Sequence, residues 1–225
     1  PVSGIDYSAY DAMAVAEMNR IIAAIHRVNY KALGLESFGK PGNYFARQVG
    51  RWSRQVQEST IPIPAALTKL MEWLPHHIPT DDETTLVHGD FRLDNMIFDH
   101  HENKVIGVLD WELSTLGHPM ADFSYQCMAW RIPPTLWRGI GGLDLIGLGI
   151  PSEQEYIRWY ETNSSRTIGS DWNFYMAYNF FRIAAILHGV AQRAVDGNAS
   201  ASDAAENGQK SGLLAEIGLE CVGIA

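Results

Sequence analysis

Cysteine is nearly absent: the 225 residues include two, Cys127 and Cys221. They lie far apart and show no metal-ligand spacing. That excludes a disulfide framework and a cysteine zinc site, and two reduced thiols in a cytosolic, cytoplasmic protein are expected. Positive charge is scarce as well. Lys and Arg number 17 against 26 Asp and Glu, a formal net charge of −9. A nucleic-acid surface needs clustered cations facing phosphates, so that partner class is excluded. Long apolar runs are missing. The most apolar segment, Phe174 to Ala191, is interrupted by Asn179, Arg182 and His188, which makes it a buried core helix rather than a membrane span. A secretory signal is also missing. The chain opens at Pro1 without Met, as expected of a fragment or a processed product. Finally, there is no phosphate-binding glycine loop. Leu136 to Pro151 carries Gly139, Gly141, Gly142, Gly147 and Gly149, but the spacing is irregular and no Lys follows. A surface loop is expected there.

What is present is a globular composition, 46% hydrophobic and 19% charged, long enough for one sizeable core. Helical stripes dominate. Ser8 to Tyr30 carries apolar residues at Met13, Ala16, Ile21, Ile22, Ile25 and Val28, with His26 as a satisfied core histidine. Asn43 is placed to cap a helix from Tyr44 to about Glu58. Arg47, Arg51 and Arg54 fall on one face of it, either a solvated face or an anion-binding stripe. Pro62 and Pro64 open a helix through Trp73 that Pro75 ends. Pro119 or Met120 starts another through about Trp130, stopped by Ile132-Pro-Pro134. Ser152-Glu-Gln-Glu155 is a capping box, opening a helix to about Thr162. Asp171 caps a long helix to about Val195, ended by Gly197. Asp203 to Ala225 reads as a last helix.

One stretch departs from this helical pattern. Asn95 to Phe98 and Val105 to Leu109 read as strands, with a polar turn from Asp99 to Lys104 between them. The hairpin ends carry Asp90 and Asn95 on one side and Asp110 on the other. Three oxygen-bearing side chains held at one rigid place suit a hard cation such as Mg2+. A carboxylate facing away from that cation is free to accept a proton from a hydroxyl. A metal-dependent hydrolase built on His88, Asp90 and Asp110 is a rival use of the same residues. Asp94 and Asp99 read as solvated, and His100 and His101 as turn residues.

The order His-x-Asp, four residues, Asn, hairpin, Asp is that of the protein-kinase catalytic and metal loops. The glycine after His88 and the triplet Asp110-Trp111-Glu112 shift the likeness. Together they resemble the aminoglycoside phosphotransferase and choline kinase-like family. Gly39-Lys-Pro-Gly-Asn-Tyr44, His88 to Asn95 and Val108 to Pro119 are similar to the kinase-like domain fused to acyl-CoA dehydrogenases and its free-standing bacterial relatives. The likeness runs from about His26 to about Ser200. It implies an α+β, mostly helical fold, the C-terminal large lobe of a protein-kinase-like fold, with the hairpin carrying the catalytic and metal loops. Residues 1–225 would all belong to that lobe, with the small N-terminal lobe, its glycine-rich loop and its Lys outside the chain. It implies transfer of the γ-phosphoryl group of ATP to a small-molecule hydroxyl, with a hydroxyacyl-CoA as one acceptor. Asp90 matches the catalytic base, Arg92 a cation near the moving phosphate, and Asn95 and Asp110 the ligands that hold Mg2+ and, through it, the nucleotide. His88 and Asp122 match bracing residues, while Glu112 and His118 stand near the metal loop. A silent docking domain is the non-enzymatic alternative. A lobe lacking its partner is expected to be inactive, to expose apolar surface at the first helix and hairpin, and to pair with a second copy.

Overall fold

The computed structural model describes residues 12–99, 101–102, 104–197 and 204–224. The expected helix starts at Ser8 and Asp203, the end at Ala225, and His100 lie outside these residues. The chain divides into two compact units, Pro1–Gly42 with Glu83–Gly169 and Asn43–Asp82 with Ser170–Ala225.

The first unit opens with α1 (Ala12–His26). Strands β1 (Thr85–Val87), β2 (Met96–Phe98), β3 (Val105–Val108) and β4 (Thr115–Gly117) follow in chain order. They form two antiparallel pairs. In the hairpin β2–β3, Met96 faces Val108 and Ile97 faces Gly107. In the second pair, β1–β4, Leu86 faces Leu116. The hairpin strands lie within a residue of where their apolar runs place them, whereas the β1–β4 pair was not expected. Then come α4 (Pro119–Cys127), a 3-10 turn Met128–Trp130, and α5 (Glu153–Ser164). The capping box of Ser152 forms in both directions, with Oγ accepting from the Glu155 amide and Glu155 accepting from the Ser152 amide. The core is aromatic. Phe123 stacks on Tyr160 at 3.9 Å and lies parallel to Tyr156, which also meets Trp130. Asn19 ties α1 to α5 by donating to the Tyr156 carbonyl at 2.9 Å.

The second unit holds α2 (Tyr44–Gln57), α3 (Ala65–Trp73), α6 (Trp172–Val195) and α7 (Ala204–Cys221). Phe45 is enclosed by the rings of Phe174, Tyr175 and Tyr178. Ser211 on α7 donates to the Ala184 carbonyl of α6. Among the described residues, no helix is long and apolar enough to cross a membrane. Two expected caps take a different form. Asn43 occupies the cap position in a left-handed conformation, but its side chain does not cap. Its amide donates instead to the Asp82 carboxylate. Asp171 likewise precedes α6 without a side-chain cap.

Candidate active site

The segment from His88 to Asn95 crosses from β1 into the hairpin and carries the proposed chemistry. Its backbone is clamped from α4. Asp122 Oδ2 accepts from the His88 amide at 2.7 Å, and Oδ1 accepts from the Gly89 amide at 2.9 Å. His26 Nε2 lies 3.4 Å from Oδ2, and Nδ1 accepts from the Tyr160 hydroxyl at 2.7 Å. Burial pushes the Asp122 carboxyl up; the His26 contact and the two amides outweigh it, and the group sits below the usual carboxylate range. Burial also pushes the Tyr160 phenol up, so it remains a donor to His26. Both His26 and Asp122 are therefore structural, as the sequence suggests.

The glycine between His88 and Asp90 has a local cause. Gly89 has φ +84°, and a Cβ there would meet the Leu113 carbonyl oxygen at 2.6 Å. Only glycine tolerates both conditions. The chain can then turn Asp90 outward while the Asp90 amide donates back to His88 Nδ1 at 3.2 Å. That contact leaves the proton on His88 Nε2, which donates to the Leu109 carbonyl at 2.9 Å. His88 thus joins the catalytic segment to the residue before Asp110, the bracing role expected of it.

The candidate side chains of Asp90, Arg92 and Asn95 form one cluster. Asp90 Oδ2 accepts from Arg92 Nε at 3.1 Å and from Asn95 Nδ2 at 3.2 Å. Asn95 Nδ2 also donates to the Asp90 carbonyl at 2.8 Å. This orients the amide so that Asn95 Oδ1 is its remaining acceptor. Asp110 is joined to the cluster through the main chain: the Leu109 amide donates to the Asn95 carbonyl at 2.8 Å. Asp110 itself is left-handed, φ 63° and ψ 51°, a conformation that Asp adopts more readily than most side chains. Such strain is held where the surroundings fix it, here by Leu109 before it and by Trp111, whose ring meets His88 at 4.7 Å and whose Nε1 donates to the Val108 carbonyl.

An amide oxygen and an exposed carboxylate are hard donors of the kind Mg2+ takes, with phosphates and water completing its shell. Among the described residues no group of three His, Cys, Asp or Glu could hold a metal. Other expectations change. Asp94 is not merely solvated: its Oδ2 pairs with Arg92 at 3.3 Å and Arg138 at 3.1 Å. Asp99 accepts from the amides of His101 and Glu102 and shapes the hairpin turn. His118 is buried and caps α4 by accepting from the Met120 amide. Glu112 is exposed in the 3-10 turn after Asp110. In the second unit Arg51 and Arg54 are exposed, Arg51 lying over Trp52, and Arg47 is half-buried.

Two features escape the sequence reading. Tyr125 on α4 donates to Asp90 Oδ1 at 2.9 Å. Beside it a cavity of about 60 Å3 is lined by Phe91, Tyr125, Met128, Ile132, Trp137 and Arg138. Trp137 and Arg138 come from the glycine-rich loop, where a Cβ on Gly139 would collide with the Ile132 carbonyl. A tyrosine three residues after Asp122, on the same helix face, is the one signal that could have pointed to the first.

Comparison with known proteins shows the family of the chain. The mouse acyl-CoA dehydrogenase family member 10 is 44% identical over 216 residues, 95% of this chain and 20% of its own length. The chain therefore spans a fifth of that relative. A crystal structure from Ralstonia eutropha JMP134, assigned as an aminoglycoside phosphotransferase, is 52% identical with a TM-score of 0.89, covering 93% of this chain and 64% of that one. A spectinomycin phosphotransferase in complex with ADP and spectinomycin shares the fold at 12% identity and TM-score 0.56, covering 94% of this chain and 66% of that one. Residues 2–152 match the phosphotransferase enzyme family (APH), and the chain belongs to that family.

Proposed function

We propose that this chain is the large lobe of a kinase that transfers the γ-phosphoryl group of ATP to a hydroxyl of a small molecule. The observation that carries this reading is the hydrogen-bonded set of Asp90, Arg92 and Asn95, with Asp110 one residue beyond the Leu109–Asn95 contact. The acceptor oxygen attacks the γ-phosphorus, the bond to the β,γ-bridging oxygen breaks, and ADP leaves with that electron pair. Asp90 takes the acceptor's proton. Arg92 is held by Asp90 and Asp94 through Nε and Nη1, which leaves Nη2 to face the γ-phosphate. Asn95 Oδ1 and the Asp110 carboxylate would hold Mg2+. When bound, that ion neutralises charge on the phosphates. With so loose a transition state, the chain's contribution is alignment: α4 fixes the segment's backbone through Asp122, and His88 fixes its distance from the metal loop.

The acceptor we infer is a hydroxyacyl-CoA or a related metabolite. Support comes from relatives named acyl-CoA dehydrogenase family members. The test uses the full-length protein with both lobes, Mg2+ and ATP, and a metabolite mixture screened for ATP-dependent mass gains of one phosphoryl group. ADP formation with such a product supports the kinase. Phosphate release from metabolites without ATP would favour the hydrolase rival. No nucleotide consumption would favour the docking domain. The 225-residue chain alone is expected to be inactive, because ATP would be gripped from one side only.

A further inference from the structure

The two oxygens of Asp90 are unequally engaged. Oδ2 accepts from both Arg92 Nε and Asn95 Nδ2, while Oδ1 accepts from Tyr125 alone among the described residues. A carboxylate oxygen has room for about two donors. Oδ2 is therefore filled, and an incoming hydroxyl has its place on Oδ1, next to the Tyr125 oxygen. Tyr125 and Asp122 sit three residues apart on α4, so one helix face holds both the backbone of the catalytic segment and its carboxylate. Arg92 and Tyr125 also border the cavity that continues toward Met128, Ile132 and Trp137.

We propose that Tyr125 is a positioning residue that turns Asp90 so that Oδ1 receives the acceptor hydroxyl. This rests on the kinase reading. It also indicates the acceptor's shape: the group nearest the hydroxyl enters a small, mainly apolar space with the Arg138 guanidinium at its edge. A compact, uncharged substituent fits that space.

The test is Tyr125→Phe in the full-length protein, which removes one oxygen and leaves the ring packing in place. Phosphate release from Mg2+-ATP is followed with radiolabelled nucleotide, water taking the acceptor's place, and again with a panel of hydroxyacyl-CoA thioesters. The expected loss in kcat is about 10- to 100-fold, the effect of one hydrogen bond to a charged group. The KM for ATP and the urea unfolding midpoint should stay unchanged. In an Asp90→Ala background the same substitution should cost nothing further, because the two residues act as a unit. Wild-type kcat in Tyr125→Phe overturns the proposal. So does an undiminished loss in the Asp90→Ala background, or a drop in unfolding midpoint that accounts for the rate. A wild-type protein that turns over no ATP under any of these conditions overturns the kinase reading, and this inference with it.

Discussion

At the scale of single residues, Asp110 separates charge from backbone. Its left-handed φ of 63° suits Asp or Asn far better than Ala. Asp110→Asn should keep stability and lose metal-dependent turnover. Asp110→Ala should lose the same turnover and in addition about 1 kcal/mol of folding stability, the penalty of a left-handed residue with a bare Cβ. Urea unfolding of both variants beside ATP turnover checks this; equal stability of the two would count against the strain argument. The residues that local spacing made legible as candidates are Asp90, Arg92, Asn95 and Asp110, which stand in one recognisable order, with His88 and Asp122 bonded to the backbone around them. What stayed hidden depends on contacts between distant segments. Arg138 reaches Asp94 across 44 positions, and no pattern inside a glycine-rich loop announces that. His118 stands near the metal loop in sequence, and its Nδ1 accepts from the Met120 amide in the first turn of α4.

At the scale of elements, α4 is the clamp. Asp122 satisfies two buried amides and a buried histidine at once. Asp122→Asn must present an NH2 group to one of those donors, leaving a buried group unmatched. The expected cost is about 1–3 kcal/mol, read as a lowered urea midpoint, together with reduced turnover from a loosened catalytic segment. An unchanged midpoint would mean that the clamp is not structural. Because the Asp122 carboxyl is held below the usual carboxylate range by His26 and the two amides, its stabilising effect is present above that range. It is lost as pH falls through the lower folded value. The hairpin was legible because apolar runs flank a polar turn. The β1–β4 pair was not, because each strand has three residues and the partners lie far apart in sequence. The capping box of Ser152 declared itself by its spacing. At Asn43 the right residue type sat at the right boundary, but the amide rather than the side chain makes the bond.

At the scale of the molecule, two features carry consequences. His188 is 2% exposed on α6, and its Nε2 has no partner among the described residues. Burial lowers its pKa from 6.5. The unfolded chain therefore binds a proton more readily, and stability should decline as pH falls below 6.5 toward the lower folded value. His188→Leu should flatten the urea midpoint over that interval, and a slope identical to wild type would contradict the assignment. The second feature is apolar exposure along the hairpin and metal loop, where Ile97, Ile106, Leu109, Trp111 and Leu113 face solvent, Ile106 at 65%. The measurement closest to the central claim is ADP release from Mg2+-ATP by the full-length protein, wild type against Asp90→Ala. Turnover should fall about 100- to 10,000-fold, the contribution of a positioned general base, equivalent to about 3 to 5.5 kcal/mol of barrier. An Asp90→Ala protein that releases ADP at the wild-type rate would contradict it.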